Sequence, residues 1–309
     1  MSSIDILQTT AQTIDIAKRK LEVRFIPQIK SIFNNLAKDA EALYMAVENI
    51  PANELAKNYT PEFISEIRKI YRRTIKEFGF EIRKTTEKKY NVNFETKSYL
   101  QIWELEVKQK VEIQDDELDN KLQEVNNKFQ EDATFYVANE PEAKSEYITD
   151  TNEKMITAAI IAATALYNTT LNAYRQEGTP EQAQRFQDKK KSFIAKQIAK
   201  DIKKKAQSRA ELITEDAVGT SEAWSRQREA ELVNQATIIT TTQTILQVKK
   251  RWDATLDGRT RETHAIADGQ VVNVDDFFLV GGFTAKMPRD PNLPPKESMR
   301  CRCIADYEV

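Results

Sequence analysis

Histidine and cysteine are nearly absent. One histidine, His264, and two cysteines, Cys301 and Cys303, serve all 309 residues. A single histidine excludes a two-histidine metal site or a two-histidine nuclease centre within one chain. Two cysteines only one residue apart exclude the disulfide framework of small secreted domains, and a ring closed between them would be small and strained. Glycine is scarce as well, seven in all. None falls into G-x-x-x-x-G-K-[ST], G-x-G-x-x-G or G-x-S-x-G, so the common phosphate cradles and the nucleophile elbow are excluded; Gly281-Gly282 reads as a turn. Long apolar runs are missing too. The longest, Met155 to Tyr167, covers thirteen residues, and a membrane-spanning helix needs about 20. Nor does one sign of charge dominate: 46 basic and 48 acidic residues leave a net charge of −2, so no global field draws the chain to nucleic acid or to a membrane. The stretch MSSIDILQTTAQTIDIAKRK carries Asp5 and Asp15 and no continuous apolar core, unlike a secretory signal.

What is present is unevenly spread. Only Gly79, Gly178 and Gly219 precede residue 258, whereas residues 258–309 hold four glycines, four of the nine prolines, both cysteines and the histidine. Tight turns and soft ligands therefore gather in the last fifty residues. The rest reads as successive helices in a chain that is 30% charged. Ile29, Ile32, Phe33, Leu36, Ala40, Leu43, Tyr44 and Val47 recur at three and four residues, which predicts an amphipathic helix between Pro27 and Pro51. Phe63, Ile64, Ile67, Ile70, Tyr71, Ile75 and Phe78 predict a second, opening at Thr60-Pro61 and ending near Gly79. A short strand pair is expected between 90 and 120, then a polar helix from Leu118 to Tyr136 broken at Glu140-Pro141. The Met155 helix follows to about Arg175. It is apolar nearly all round, and its alanines suit close approach of another helix, in a bundle or a subunit contact. Thr179-Pro180-Glu181-Gln182 carries the residues of a capping box. The expected fold is mainly α: an elongated helical domain over 1–205, with a small α+β domain over 206–309.

Residues 185–209 hold ten basic side chains against Asp188 and Asp201. Lys189, Lys190, Lys191, Lys196, Lys200, Lys203, Lys204 and Lys205 form the candidate DNA-binding set, because a lysine face that neutralises phosphates binds without reading sequence. A solvated helix face, or the complement of an acidic partner, is the alternative. In the tail, His264, Cys301 and Cys303 with a nearby acid such as Asp268 or Asp275 are candidate zinc ligands. The competing reading has both thiols reduced and packed, with no cofactor. Asp257, Arg259, Arg261, Asp268, Gly269 and Arg302 form a polar cluster; Arg259 and Arg261 are expected to pair with Asp257, Asp253 or Asp268 and to knot the domain together.

Trp252, Asp253, Ala254, Thr255, Asp257, Arg259, Thr260, Arg261, His264, Asp268, Gly269, Gln270 and Val272, followed by Phe277, Pro288, Pro295, Glu297 and Cys301-Arg302-Cys303, give the tail a recognisable pattern. It resembles the C-terminal domain of phage minor head proteins of the Mu F type, also called head-morphogenesis proteins. The upstream run Arg209 to Glu215 resembles the helix with a Thr-Glu pair that precedes this motif, and the likeness extends from about residue 206 to the end. Many relatives carry C-x-x-C where this chain has Arg261 and His264, and His-Pro where it has Ser298-Met299. The ligand set is thus thinned to one histidine and two cysteines.

The resemblance implies a virion component of the phage head, made in the host cytoplasm. Its partners would be the portal protein, the major capsid protein or both, with double-stranded DNA and further copies of itself as additional contacts. Some members of the family carry toxin domains; no further catalytic domain is visible here, so a structural, non-enzymatic role is expected. Two rivals remain: an internal DNA-binding or ejection protein acting through the lysines, and a zinc-dependent hydrolase or nuclease built on His264 and the cysteines.

Overall fold

The computed structural model describes residues 3–79, 115–235 and 248–308. Among the described residues six helices lead: α1 Ser3–Val47, α2 Ala52–Phe78, α3 Asp115–Ala143, α4 Ser145–Glu177, α5 Pro180–Asp188 and α6 Lys190–Gln235. Then come β1 Lys249–Asp253, α7 Glu262–Ala267, β2 Val271–Asn273, β3 Phe278–Val280, β4 Phe283–Ala285, α8 Pro295–Ser298 and β5 Ile304–Glu308. The expected architecture, mainly α with a small α+β region at the end, is what is found. The expected strand pair between 90 and 120 falls almost wholly outside the described residues.

Three prolines were expected to mark helix limits and do not. Pro27, Pro61 and Pro141 all lie inside helices. Around Pro27 the buried face runs on without a break through Leu21, Phe25, Ile29, Ile32, Phe33 and Leu36, and its burial outweighs the one hydrogen bond a proline removes. Thr60 does not cap a helix; its hydroxyl donates to the Ala56 carbonyl one turn back, at 3.0 Å. Beyond Pro141 the helix continues to Ala143. The other punctuation holds. The Gly79 and Gly178 amides close α2 and α4 on Ile75 and Tyr174. Thr179 and Gln182 form the reciprocal capping box at α5.

Contacts gather the chain into two compact units, one of residues 1–22, 70–137 and 215–309 and the other of residues 23–69 and 138–214. The sequence boundary at 205/206 lies within α6. The second unit is helical throughout. Its core joins Phe33 and Phe63, with ring centroids 4.8 Å apart, to Ile29, Leu36, Ile67, Ile156, Ala159, Ala163, Ile194, Ile198 and Ile202. α4 buries one side, where Met155, Ile156, Ala159, Ala163, Tyr167 and Leu171 face inward, while Ile161 and Leu166 are 65% and 42% exposed.

The first unit holds all the strands found among the described residues. β1 is the centre of an antiparallel sheet of order β2-β1-β5, with Lys250 opposite Val272 on one side and Tyr307 on the other. β3 and β4 form a hairpin turned by Gly281 and Gly282 at φ 59° and 84°. Two consecutive left-handed residues suit the twist of a two-residue hairpin, and glycine adopts them without a steric cost. Trp252, Ala254, Ala267, Phe278, Val280, Ala285, Leu293, Cys301, Cys303 and Ala305 pack together as the core of this lobe.

Candidate functional site

β1 alternates its burial, so Lys250, Trp252 and Ala254 share one face. Trp252 is fully buried, with Phe278 and His264 edge-on at centroid distances of 5.3 and 5.8 Å. α7 delivers His264, and the segment leading into β5 delivers Cys301 and Cys303 on alternate residues. The three soft ligands therefore converge although 37 residues separate His264 from Cys301. His264 Nδ1 lies 3.3 Å from Cys303 Sγ and 3.6 Å from Cys301 Sγ, and all three side chains are buried. On the other side of the ring, Nε2 lies 3.2 Å from Glu297 Oε2, which accepts a hydrogen bond from the Thr263 hydroxyl at 2.8 Å.

The hydrogen bond from Cys303, against the opposing effect of burial, holds the Cys301 thiol well below its ordinary range; His264 and Arg289 add to this. Cys303 is pushed the other way by its bond to Cys301 and by burial. Burial lowers the His264 pKa, but the Cys301 bond and charge outweigh it and the net shift is upward. These directions favour negative charge at Cys301 and positive charge at His264, with Glu297 on the far side of the ring. Both cysteines are free of a disulfide.

The spacing also suits a metal. Tetrahedral zinc, with bonds of about 2.3 Å to sulfur and about 2.0 Å to nitrogen, spaces its ligands roughly 3.5 to 3.8 Å apart, and these three atoms lie within 4.8 Å of one another. Glu297 sits where a carboxylate orients a ligating histidine. Yet only three ligands converge among the described residues, and structural zinc almost always takes four. Asp268 is engaged elsewhere, accepting from the Ala254 amide at 2.8 Å, and Asp275 accepts from Asn234 at 2.9 Å. For nucleophilic chemistry the obstacle is access: His264, Cys301 and Cys303 are 2%, 1% and 5% exposed.

The polar cluster assembles in part as expected, with Arg259 paired to Asp257 and Arg261 bonded elsewhere. Arg261 pairs with no carboxylate among the described residues; it donates to the Met299 carbonyl at 2.5 Å. Asp257 bonds Arg302, which, with the Arg259 amide, holds its carboxyl far below the usual range. The Arg259 side chain is exposed and 3.8 Å from Asp257. Gly269, at φ 76°, makes the turn whose amide donates to the Trp252 carbonyl.

Sequence reasoning missed the residues that fasten this lobe to α6. Gln227 donates to the Val274 carbonyl and to Glu231, and accepts from Tyr307 and from Lys250. Lys250 also donates to the Lys286 carbonyl at 2.7 Å, and burial pushes its pKa down to about 8. Glu222 meets Lys18 and Arg226 at 3.4 and 3.3 Å, all three buried. The available signal was a helix segment, residues 220–231, with too few apolar residues to be buried by oil alone.

The candidate DNA-binding lysines belong to the helical unit. Lys189, Lys190, Lys196, Lys200, Lys203, Lys204 and Lys205 are exposed, and none of the seven has an ion pair among the described residues. Lys191 is half-buried, with Glu48 at 3.8 Å and the Ala46 carbonyl at 3.4 Å. Phe186 stacks on Tyr167, Phe193 lies tilted against the same ring, and both are engaged in packing.

Residues 189–305 match the family model described as Phage Mu protein F like protein. This stretch is a Mu F-type domain. It takes in α6 and nearly all of the lobe that carries His264, Cys301 and Cys303. Three curated proteins are similar over short stretches. The NAD(+)–arginine ADP-ribosyltransferase EFV of Enterococcus faecalis is 43% identical over 58 residues, 19% of this chain and 12% of that protein. Minor head protein GP7 of Bacillus phage SPP1 is 34% identical over 65 residues, 21% of each chain. The uncharacterized protein YqbB of Bacillus subtilis is 37% identical over 60 residues, 18% of this chain and 20% of its own. The matches thus span about a fifth or less of this chain and of these relatives, about the size of the Mu F-type lobe rather than of whole proteins. No solved structure matches the chain.

Proposed function

We propose that this chain is a structural and assembly protein of a tailed-phage or prophage head, located in the virion near the portal vertex and the packaged genome. The observation that carries this reading is the Mu F-type domain over residues 189–305, together with similarity to a protein named as a minor head protein. The chemistry of the lobe fits a passive role. His264, Cys301 and Cys303 are sealed in the core, where they tie α7 to the start of β5 and leave no approach for a substrate. The likeness to an ADP-ribosyltransferase covers 12% of that enzyme, too little to carry an activity across. Portal protein and major capsid protein are the partners proposed. Among the described residues no helix is long and apolar enough to cross a membrane.

The test is made on particles. Heads purified from a producing strain should contain the chain in a fixed ratio to the portal protein, and deletion of its gene should lower infectivity or misassemble heads. A chain absent from purified heads, or one that hydrolyses nucleic acid with a divalent ion, overturns the reading.

A second reading is favoured by the lysines. Lys196, Lys200 and Lys203 follow at four and three residues, so they line one exposed stripe of α6, with Lys204 beside it. Such a stripe neutralises DNA phosphates, and the internal DNA-binding or ejection role rests on it.

A further inference from the structure

Residues 155–174 contain no charged side chain, in a chain where 30% of residues are charged. The inward half of this stretch is accounted for by the helical core. The outward half is not. Tyr147, Asp150, Lys154, Ala158, Ile161, Ala165, Asn168, Asn172 and Arg175 follow one another at three or four residues, so they fall on a single stripe of α4, and all are exposed. Ile161, 65% exposed, stands in the middle between Ala158 and Ala165. Water is an unrewarding neighbour for such a face, and charged residues are what solvated helix faces normally carry.

We infer that this stripe is the contact surface for a second copy of the chain, docked with its own α4 antiparallel about a two-fold axis that passes midway between Ile161 and Ala165. The pattern is self-complementary, as an isologous contact must be. Turning the helix about residue 163 sets Ile161 of one copy over Ala165 of the other. The large side chain then enters a hole lined by small ones, and the backbones approach closely. Ala158 meets Asn168, and Lys154 meets the neutral Asn172. The charges at the ends of the stripe are opposite and nearly equidistant from the axis. Asp150 lies about 20 Å from it and Arg175 about 18 Å, at 1.5 Å per residue. Each Asp150 therefore faces the other copy's Arg175, twice per dimer. Asp150 is held in place by Lys154 at 2.8 Å within its own helix. Arg175 has no ion pair among the described residues, so its charge is free to be answered from outside. A shell protein or a lipid surface would not need charges so placed about the centre of the helix.

Sedimentation velocity of the full chain across roughly 1 to 100 µM tests this. The parent should pass from monomer to dimer. Ile161→Lys should raise the dimer dissociation constant at least tenfold with helical circular dichroism unchanged, because the replaced side chain is exposed. Asp150→Arg and Arg175→Asp should each weaken the dimer, and the two together should restore it. A chain that stays monomeric throughout overturns the inference. So does a dimer indifferent to Ile161→Lys, or one that the double charge swap does not restore. Binding of the parent, but not of Ile161→Lys, to neutral phosphatidylcholine vesicles would assign the face to a lipid surface instead.

Discussion

Gly219 exists to make room for Arg289. The glycine lies inside α6, where any residue but proline would favour the helix more, and a Cβ there would come within 2.3, 2.4 and 2.7 Å of the Nε, Cζ and Cδ atoms of Arg289. The arginine lies flat along the helix, buried, with Nε on the Cys301 carbonyl at 2.7 Å and a terminal nitrogen on the Glu215 carbonyl at 2.8 Å. It does so from a left-handed backbone, φ 62°, that an L-residue adopts at a cost. One side chain thereby joins α6 to the segment that carries both cysteines.

Gly219→Ala should therefore destabilise the protein by roughly 1 to 3 kcal/mol, because the guanidinium must leave its two acceptors or the helix must shift. In an Arg289→Ala background the sign should reverse. The methyl then no longer meets the guanidinium, and the helix gains up to about 1 kcal/mol from replacing glycine. Urea denaturation of the four proteins of this cycle measures it. Equal effects of Gly219→Ala in both backgrounds would mean that the two residues do not compete for space.

Lys250 gives the fold a pH dependence of definite sign. Burial lowers its pKa from 10.5 to about 8, so between those values the unfolded chain holds a proton that the folded chain has released. Its contribution to stability must then increase as pH rises from 8 to 10.5, and below pH 8 the buried charge costs roughly 1 to 3 kcal/mol. Lys250→Met should flatten that part of the profile, as read from the difference in midpoint between variant and parent at pH 7.5 and pH 9.5. The same difference at both values would place the ammonium in a well-solvated site.

For Arg261 the sequence suggested a buried ion pair, whose rupture costs about 3 to 5 kcal/mol. The bond actually formed, to the Met299 carbonyl, leaves no carboxylate behind when it is broken. Arg261→Ala should cost nearer 1.5 to 3 kcal/mol, the range for a hydrogen bond from a charged donor. Limited proteolysis should then find the tail of the variant only modestly more susceptible than that of the parent.

These cases mark where the sequence was readable. Helical stripes such as Ile194, Ile198 and Ile202 and the box at Thr179 and Gln182 are local, with cause and consequence within a turn or two. Pro27 and Pro61 misled because a local rule was set against a buried face that extends on both sides of them. The meeting of His264 with the cysteines was legible, since soft ligands are few and only the tail holds them. Glu297 was not, because one glutamate among many acquires its meaning only when folding sets it beside Nε2 of His264. Main-chain acceptors, such as those of Arg261 and Arg289, leave no trace in a pattern of side chains.

If the lysine stripe of α6 binds DNA, charge alone should govern it. Changing Lys196, Lys200, Lys203 and Lys204 to glutamine should weaken binding equally on unrelated duplexes, with the slope of log K against log salt falling by about 0.9 for each phosphate no longer neutralised. A slope that does not move would assign these lysines to solvent or to an acidic protein.

The His264 centre offers the clearest contrast between chemistry and structure. Among the described residues three ligands converge, one short of the number that structural zinc takes, and their sulfur and imidazole atoms are already within hydrogen-bonding reach of one another. The expected result is protein purified without chelators that carries far less than one equivalent of zinc. Its thiols should react with a disulfide reagent only after unfolding, because both are buried. Cys301→Ser and Cys303→Ser should each cost on the order of 1 to 3 kcal/mol, the scale of a broken buried hydrogen bond and altered packing. Added zinc should leave the thermal midpoint of the parent unchanged. One equivalent of zinc, with a midpoint that falls on chelation and no longer does so in His264→Ala, would establish a metal tie, since binding energy at such a site is folding energy.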